Sequence, residues 1–156
     1  AISALADAAV ILEGDHAPAV LTPHPGEMAR LVAAPVEKVQ AHRTHFADIA
    51  SKRFRSTVVL KGACSVIAEP GRTLAINPTG NPGMATGGAG DVLTGMVAGL
   101  VAQGLLPFEA ATAATYLHGL AGDIAAERVG EAGLVAGDLV AAVPEAVQRM
   151  MPASRW

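Results

Sequence analysis

A layered α/β fold is predicted by three observations. Thr57-Val58-Val59-Leu60 is a β-branched run with no polar alternation, the pattern of a strand buried on both faces of a parallel sheet. Residues 65–68 and 72–76 flank a Pro70-Gly71 turn and read as a hairpin. From residue 90 onward the pattern is mainly helical, which implies separate strand and helix layers rather than a bundle or a sandwich.

In chain order, residues 1–8 read as a short helix or its tail, 10–13 as its end or a brief strand, and Gly14-Asp15 as a turn. Residues 19–21 form a short β-type run, stopped by Thr22-Pro23-His24-Pro25-Gly26. Pro25-Gly26-Glu27 opens a helix to about Val32, since proline suits a first turn and glutamate complements a helix N-terminus. Pro35 starts a second helix to about Phe54, with Val36, Val39, Phe46, Ile49 and Ala50 at helical spacing. Lys38, Arg43, Lys52 and Arg53 fall mostly on its other side and read as a solvated face. Lys61-Gly62 ends the buried strand. A buried helix is predicted over 90–103, another from Pro107 to about Arg128. A last one follows Gly137-Asp138 to about Met151, with Pro144 inside it or at its first turn.

Between the hairpin and the first of these helices lies N-P-T-G-N-P-G-M-A-T-G-G-A-G-D, residues 77–91. Glycines let backbone approach a ligand closely. The first amides of a helix lack intrahelical partners, so the loop and helix together form a preformed anion site. An acid at its rim, Asp91, makes sense if it takes a proton or holds a cation beside a phosphate. The loop is not a Walker A motif, because Gly83-x4-Gly88 is followed by Ala89. It is not a dinucleotide fingerprint either, because position 93 is Leu and no β-run leads into it. A Gly-rich surface turn before a capped helix is the bland alternative, but simple turns rarely need so many glycines.

The totals exclude several classes. At 156 residues one domain, 1–156, is expected, with enough chain for a core. The chain is 51% hydrophobic but 3% aromatic, so that core is aliphatic. A net charge of −3 with no long basic run argues against nucleic-acid binding. The single cysteine, Cys64, permits no internal disulfide and suits a reducing cytoplasm. The apolar helices are too short and interrupted to span a membrane, which takes about 20 apolar residues. The chain opens at Ala1 without a clear first element and reads as part of a longer polypeptide.

Other candidates carry two readings each. Lys61 follows a buried strand, where α/β proteins face their ligand crevice, and a cation there pairs with phosphate; alone, it reads as a solvated lysine. Thr22–Glu27 presents His24 and Glu27 from a proline-pinned backbone, or is a rigid turn with a capping glutamate. Cys64 reads as a small core residue. His118 and Asp123 read as a structural pair on an Ala-rich helix. His16, His42 and His45 lack metal-site spacing.

Residues 77–95 (N-P-T-G-N-P-G-M-A-T-G-G-A-G-D-V-L-T-G), with L-T-P-H-P-G-E (21–27), V-V-L-K-G-A (58–63) and Y-L-H-G-L-A-G-D (116–123), closely resemble the ADP/ATP-dependent NAD(P)H-hydrate dehydratases. These are repair enzymes of the ribokinase-like superfamily, and the similarity covers nearly the whole chain in order. The resemblance implies a three-layer αβα fold with a mostly parallel central sheet. It implies dehydration of NAD(P)H hydrate with ADP or ATP as phosphoryl donor and Mg²⁺ as cofactor. Gly88, Ala89 and Gly90 would form the anion hole, and Asp91 would be the catalytic base on the bound substrate hydroxyl. Lys61, Gly62, Ala63, Cys64 and Ser65 would contact the adenine nucleotide, with Cys64-Ser65 where the family usually has Gly-Thr. Asn77 and Asn81 would shape the nucleotide pocket. His24 would meet the hydrate, and Glu27 would lie near Mg²⁺ and its waters. A homo-oligomer and a fused or partnered NAD(P)HX epimerase domain are further implications. Family domains are considerably longer, so the chain is expected to be a C-terminal portion without the first strands of the sheet. The alternatives are a ribokinase-like small-molecule kinase or an inactive nucleotide-binding fragment.

Overall fold

The computed structural model describes residues 19–151. The readings at 1–8, 10–13 and 14–15, and His16, lie outside the described residues. The elements are β1 (Val20–Leu21), α1 (Pro25–Leu31), α2 (Val36–Ala41), α3 (Arg43–Phe54), β2 (Thr57–Leu60), β3 (Val66–Ala68) and β4 (Ala75–Ile76). Then come a 3₁₀ turn (Pro82–Met84), α4 (Ala89–Ala102), α5 (Pro107–Val129), a second 3₁₀ turn (Glu131–Gly133) and α6 (Ala136–Met150).

The strands form one sheet in the order β1-β2-β3-β4. β1 and β2 are parallel, with Val20 opposite Thr57; helices α1–α3 supply the crossover that parallel pairing requires. β2–β3 and β3–β4 are antiparallel. Over these residues the sheet is therefore mixed rather than mostly parallel. The segments 61–65 and 69–74 are too short for a parallel crossover, which takes a dozen residues or more.

Alternation along β2 explains the layers. Val58 and Leu60 pack with Met28, Leu31, Val39, Ala47, Ala50 and Phe54 of α1–α3. Val59, with Ile67 of β3, packs on the other face against Leu93 and Val97 of α4 and Ala111 and Ala114 of α5. All four β2 residues are buried, and each large apolar side chain so placed contributes about 1.5–3 kcal/mol. α6 covers α5 from outside, setting Leu139, Ala142 and Ala146 against Ala121, Ile124 and Ala125. The result is three layers, α1–α3, sheet and α4–α5, with α6 added.

Two helical expectations are corrected. The helix expected over 35–54 is broken at His42, whose φ of −133° and ψ of 49° leave the helical region. The break aims Arg43 at the end of β2, where Nη2 donates to the carbonyls of Leu60 (3.0 Å) and Lys61 (3.3 Å). Arg43 is thus half-buried rather than on a solvated face. α4 buries Ala89, Leu93 and Val97 but leaves Thr94, Gly95, Ala98 and Gly99 exposed, so it is one-sided. Pro144 lies inside α6, on its exposed side, where the carbonyl it leaves unpaired meets water.

Candidate active site

Because β1 and β2 run parallel, the segments leaving their carboxyl ends emerge side by side. The Lys61 amide donates to the Pro23 carbonyl at 2.9 Å and locks the two together. His24 then caps α1: its Nδ1 accepts from the amides of Gly26 (3.1 Å) and Glu27 (3.3 Å). Glu27 Oε2 reaches back to the His24 amide at 2.8 Å, completing a reciprocal cap. The same oxygen lies 3.5 Å from His24 Nε2 and 3.9 Å from Lys61 Nζ. The capping reading of this turn is therefore realised, and it also gathers a carboxylate, an imidazole and an ammonium at one strand edge.

Opposite stands the glycine loop. Gly88 is the N-cap of α4 with φ 88°, a left-handed conformation that favours glycine. The amides of Gly87, Gly88 and Gly90 have no acceptor among the described residues. A Cβ on Gly90 would fall 3.0 Å from Lys61 Nζ, so the ammonium sits directly against the first turn of the helix. Unpaired amides, the helix dipole and a lysine converge there, which is the physical definition of an anion site. Asp91 occupies the next helical position, exposed, with no side-chain partner among the described residues. Thr94 Oγ1 donates to the Gly90 carbonyl at 2.9 Å and steadies this turn.

Helix α5 holds the loop from behind. The Thr79 hydroxyl lies 2.9 Å from the Tyr116 carbonyl and 3.0 Å from Asn77 Oδ1. Asn77 Nδ2 donates to the Thr79 carbonyl at 3.0 Å. The Asp123 carboxylate accepts from the Gly80 amide and from Asn81 Nδ2, each at 3.0 Å. His118 Nε2 lies 2.9 Å from the Ala89 carbonyl. A carbonyl only accepts, so neutral His118 carries its proton on Nε2. Burial, aided by the Lys61 charge, lowers its pKa below the ordinary value against the raising effect of the Ala89 bond. A Cβ on Gly119 would fall 2.7 Å from the Thr79 carbonyl carbon, so the loop rests on bare helix backbone.

A cavity of about 650 Å³ lies between these parts, in the size range of small-molecule sites. Its walls include His24, Lys61, Gly62, Ala63, Cys64, Ser65, Asn77, Asn81, Ala89 and Gly90. Gly88, Asp91 and Glu27 flank these residues in the chain and lie outside the lining. Cys64 is not a core residue, as its small size suggests: it is exposed, with φ 51°, on the cavity wall. His118 and Asp123 do not bond to each other but to opposite ends of the loop. Their spacing of five on an alanine-rich helix, with Gly119 and Gly122 between, is the available signal in the sequence. His42 and His45 join no metal-binding group among the described residues.

Together these features define a layered α/β protein with an anion site at the carboxyl edge of its parallel strand pair, an acid beside it and a ligand-sized cavity. The chain belongs to the NAD(P)H-hydrate dehydratase family, whose model matches residues 1–145. It is 50% identical to the bifunctional NAD(P)H-hydrate repair enzyme Nnr of Moorella thermoacetica, over 96% of this chain and 28% of that protein. It is 44% identical to the ADP-dependent (S)-NAD(P)H-hydrate dehydratase of Neisseria meningitidis, over 88% of this chain and 43% of that one. Among solved structures, the ADP/ATP-dependent NAD(P)H-hydrate dehydratase from Bacillus subtilis co-crystallized with ATP/Mg²⁺ superposes with a TM-score of 0.83 at 34% identity. That match covers 89% of this chain and 52% of the other. A ribokinase-like superfamily protein from Enterococcus faecalis superposes at 0.79 with 31% identity, over 95% of this chain and 50% of the other. The fold is thus ribokinase-like, and the chain spans about half or less of these relatives' own length.

Proposed function

We propose that this chain carries the nucleotide-binding part of an ADP- or ATP-dependent NAD(P)H-hydrate dehydratase, as one domain over 1–156 and the C-terminal portion of the larger unit. The observation that carries the reading is Lys61 Nζ set against Gly90, at amides that lack acceptors among the described residues. In the reaction a phosphoryl group passes from the nucleotide to the ring hydroxyl of the hydrate. Phosphate then leaves, driven by the lone pair of the ring nitrogen, and the neighbouring carbon loses a proton to restore the reduced nicotinamide.

Asp91 takes the hydroxyl proton as the oxygen attacks. The amides around Gly88–Gly90 and the Lys61 ammonium face the charge that develops on the phosphoryl oxygens, already oriented before the reaction begins. Residues 61–65 and 77–81 hold the nucleotide, and His24 orients the hydrate. Glu27 suits an outer-sphere Mg²⁺ role. Its Oε2 is engaged in the cap while Oε1 has no partner among the described residues, and Mg²⁺ keeps several waters and needs only one or two carboxylates beside phosphate. When bound, the ion would neutralise phosphate charge. An NAD(P)HX epimerase domain as fusion partner, a homo-oligomeric state and a cytoplasmic setting complete the reading.

The test uses the intact polypeptide with NADHX and ADP, then ATP. NADH absorbance should return with release of phosphate, whereas a kinase would leave a stable phosphorylated product. Asp91→Asn should keep nucleotide affinity and lose about 10²–10⁴-fold in turnover. Near-normal turnover by that variant would remove the assigned base.

A further inference from the structure

The wall of the cavity formed by 77–84 is tied to α5 through an ordered relay of three hydrogen bonds. Asp123 Oδ2 accepts from the Gly80 amide and Oδ1 from Asn81 Nδ2, each at 3.0 Å. Asn81 Oδ1 in turn accepts from the Gly83 amide at 3.1 Å, capping the 3₁₀ turn at Pro82–Met84. Asn81 therefore commits its acceptor and one amide proton inside the protein. Asp123 lies outside the cavity lining, whereas Gly80, Asn81 and Pro82 belong to it.

We infer that Asp123 is a positioning residue for the nucleotide. It fixes the 77–84 wall by way of Asn81, and the Asn81 side chain serves as the relay rather than as a direct ligand contact. The inference rests on the nucleotide reading of the cavity. The chemistry is specific to the order of donors and acceptors and not to volume. With Asn at position 123, the three links hold two side-chain amides and two backbone N–H groups. However the amides are flipped, one N–H then faces another N–H. With Asp at position 81 alone, two carboxylates face each other. With both exchanged, every link is restored. The new amide at position 123 accepts from Gly80 through its oxygen and donates through its nitrogen to the new carboxylate at position 81. The second oxygen of that carboxylate accepts from the Gly83 amide.

The experiment measures ADP and ATP affinity by calorimetry, with Mg²⁺, on the intact polypeptide. Asp123→Asn and Asn81→Asp should each weaken binding about tenfold, the loss expected when a partly buried partner is removed. The double exchange, N81D with D123N, should return to within about threefold of the unsubstituted protein. In steady state, D123N should raise the nucleotide KM while kcat at saturating nucleotide holds. A general structural role would lower kcat as well. If D123N loses its melting transition, the double exchange carries the test by regaining both melting and affinity. Wild-type-like affinity of D123N, or a double exchange that melts normally yet binds as weakly as the singles, overturns the inference and leaves the proposed function standing. No nucleotide binding by the unsubstituted protein overturns both.

Discussion

The two loops that face the cavity are held in opposite ways. The turn at His24–Glu27 is self-contained: its capping bonds all run between residues three or fewer apart. The loop at 77–91 is held from α5, by partners 29 to 43 residues away in the chain. A self-capped turn keeps its shape whatever its surroundings do. A loop clamped on a helix takes its shape from that helix, so disturbances in α5 reach the cavity wall at 77–84 and the anion site together. Substitutions on α5 should therefore do more to the site than substitutions in the turn that borders it.

The largest effect is expected at Gly119. A Cβ there strikes the Thr79 hydroxyl and, 2.7 Å away, the Thr79 backbone carbonyl carbon, whereas one at Gly122 strikes only the Met84 side chain, whose Cγ would lie 2.7 Å away. Backbone cannot rotate aside and methionine can. Gly119→Ala should cost about 3 kcal/mol, the upper end for overpacking, and Gly122→Ala about 1 kcal/mol. Denaturant midpoints at fixed slope measure both, and calorimetry should show nucleotide affinity falling with the first. Equal costs at the two sites would mean that the loop yields as readily as a side chain and is not clamped.

The same contrast explains what is legible in the sequence. Thr57–Leu60 announces a doubly buried strand because burial on both faces needs an unbroken apolar run, and the hairpin after it follows from Pro70-Gly71. The anion site is readable because close backbone approach and helix N-termini have a local signature in glycine spacing. The break at His42 is not, because what goes with it is tertiary: Arg43 reaches the carbonyls that end β2. A tertiary partner leaves no trace in helical periodicity. Asp123 and His118 read as a pair because both are polar groups on one alanine-rich helix, but five residues is about 140° around the helix axis, and only the fold shows that they hold opposite ends of the loop. For Cys64, small size suggests a core, while its positive φ belongs to the turn after β2.

The next effect concerns His118 and depends on pH. Its folded-state pKa lies below the ordinary value of 6.5 through burial first and the Lys61 charge as well. The unfolded chain therefore binds more protons in the window just below that value. The contribution to stability is complete above about pH 6.5 and is lost as pH falls toward the folded-state pKa. His118→Gln keeps an amide donor for the Ala89 carbonyl and does not titrate. Its denaturant midpoint should fall less between pH 7 and pH 5 than that of the unsubstituted protein. His118→Phe removes the second donor to the Ala89 carbonyl, which keeps its helical bond inside α4, and should cost about 1 kcal/mol at pH 7. Parallel pH profiles for the H118Q variant and the unsubstituted protein would show that the imidazole is not held neutral by its site.

The smallest effect belongs to the self-contained turn. His24→Ala removes the acceptor for two amides and should cost about 1 kcal/mol, the typical loss when an N-cap is removed. His24→Asn restores a side-chain acceptor at a preferred cap residue and should recover most of it. The informative readout is local. Hydrogen exchange should quicken at Gly26 and Glu27 in the H24A variant and stay unchanged at Gly80 and Gly83. Those two amides answer to Asp123 and Asn81 and share no hydrogen bond with the turn. Faster exchange at both places would show that the turn and the loop move as one body through Lys61, a side chain that lies near Glu27 and also sits against Gly90. The independence of the two loops would then end at that lysine.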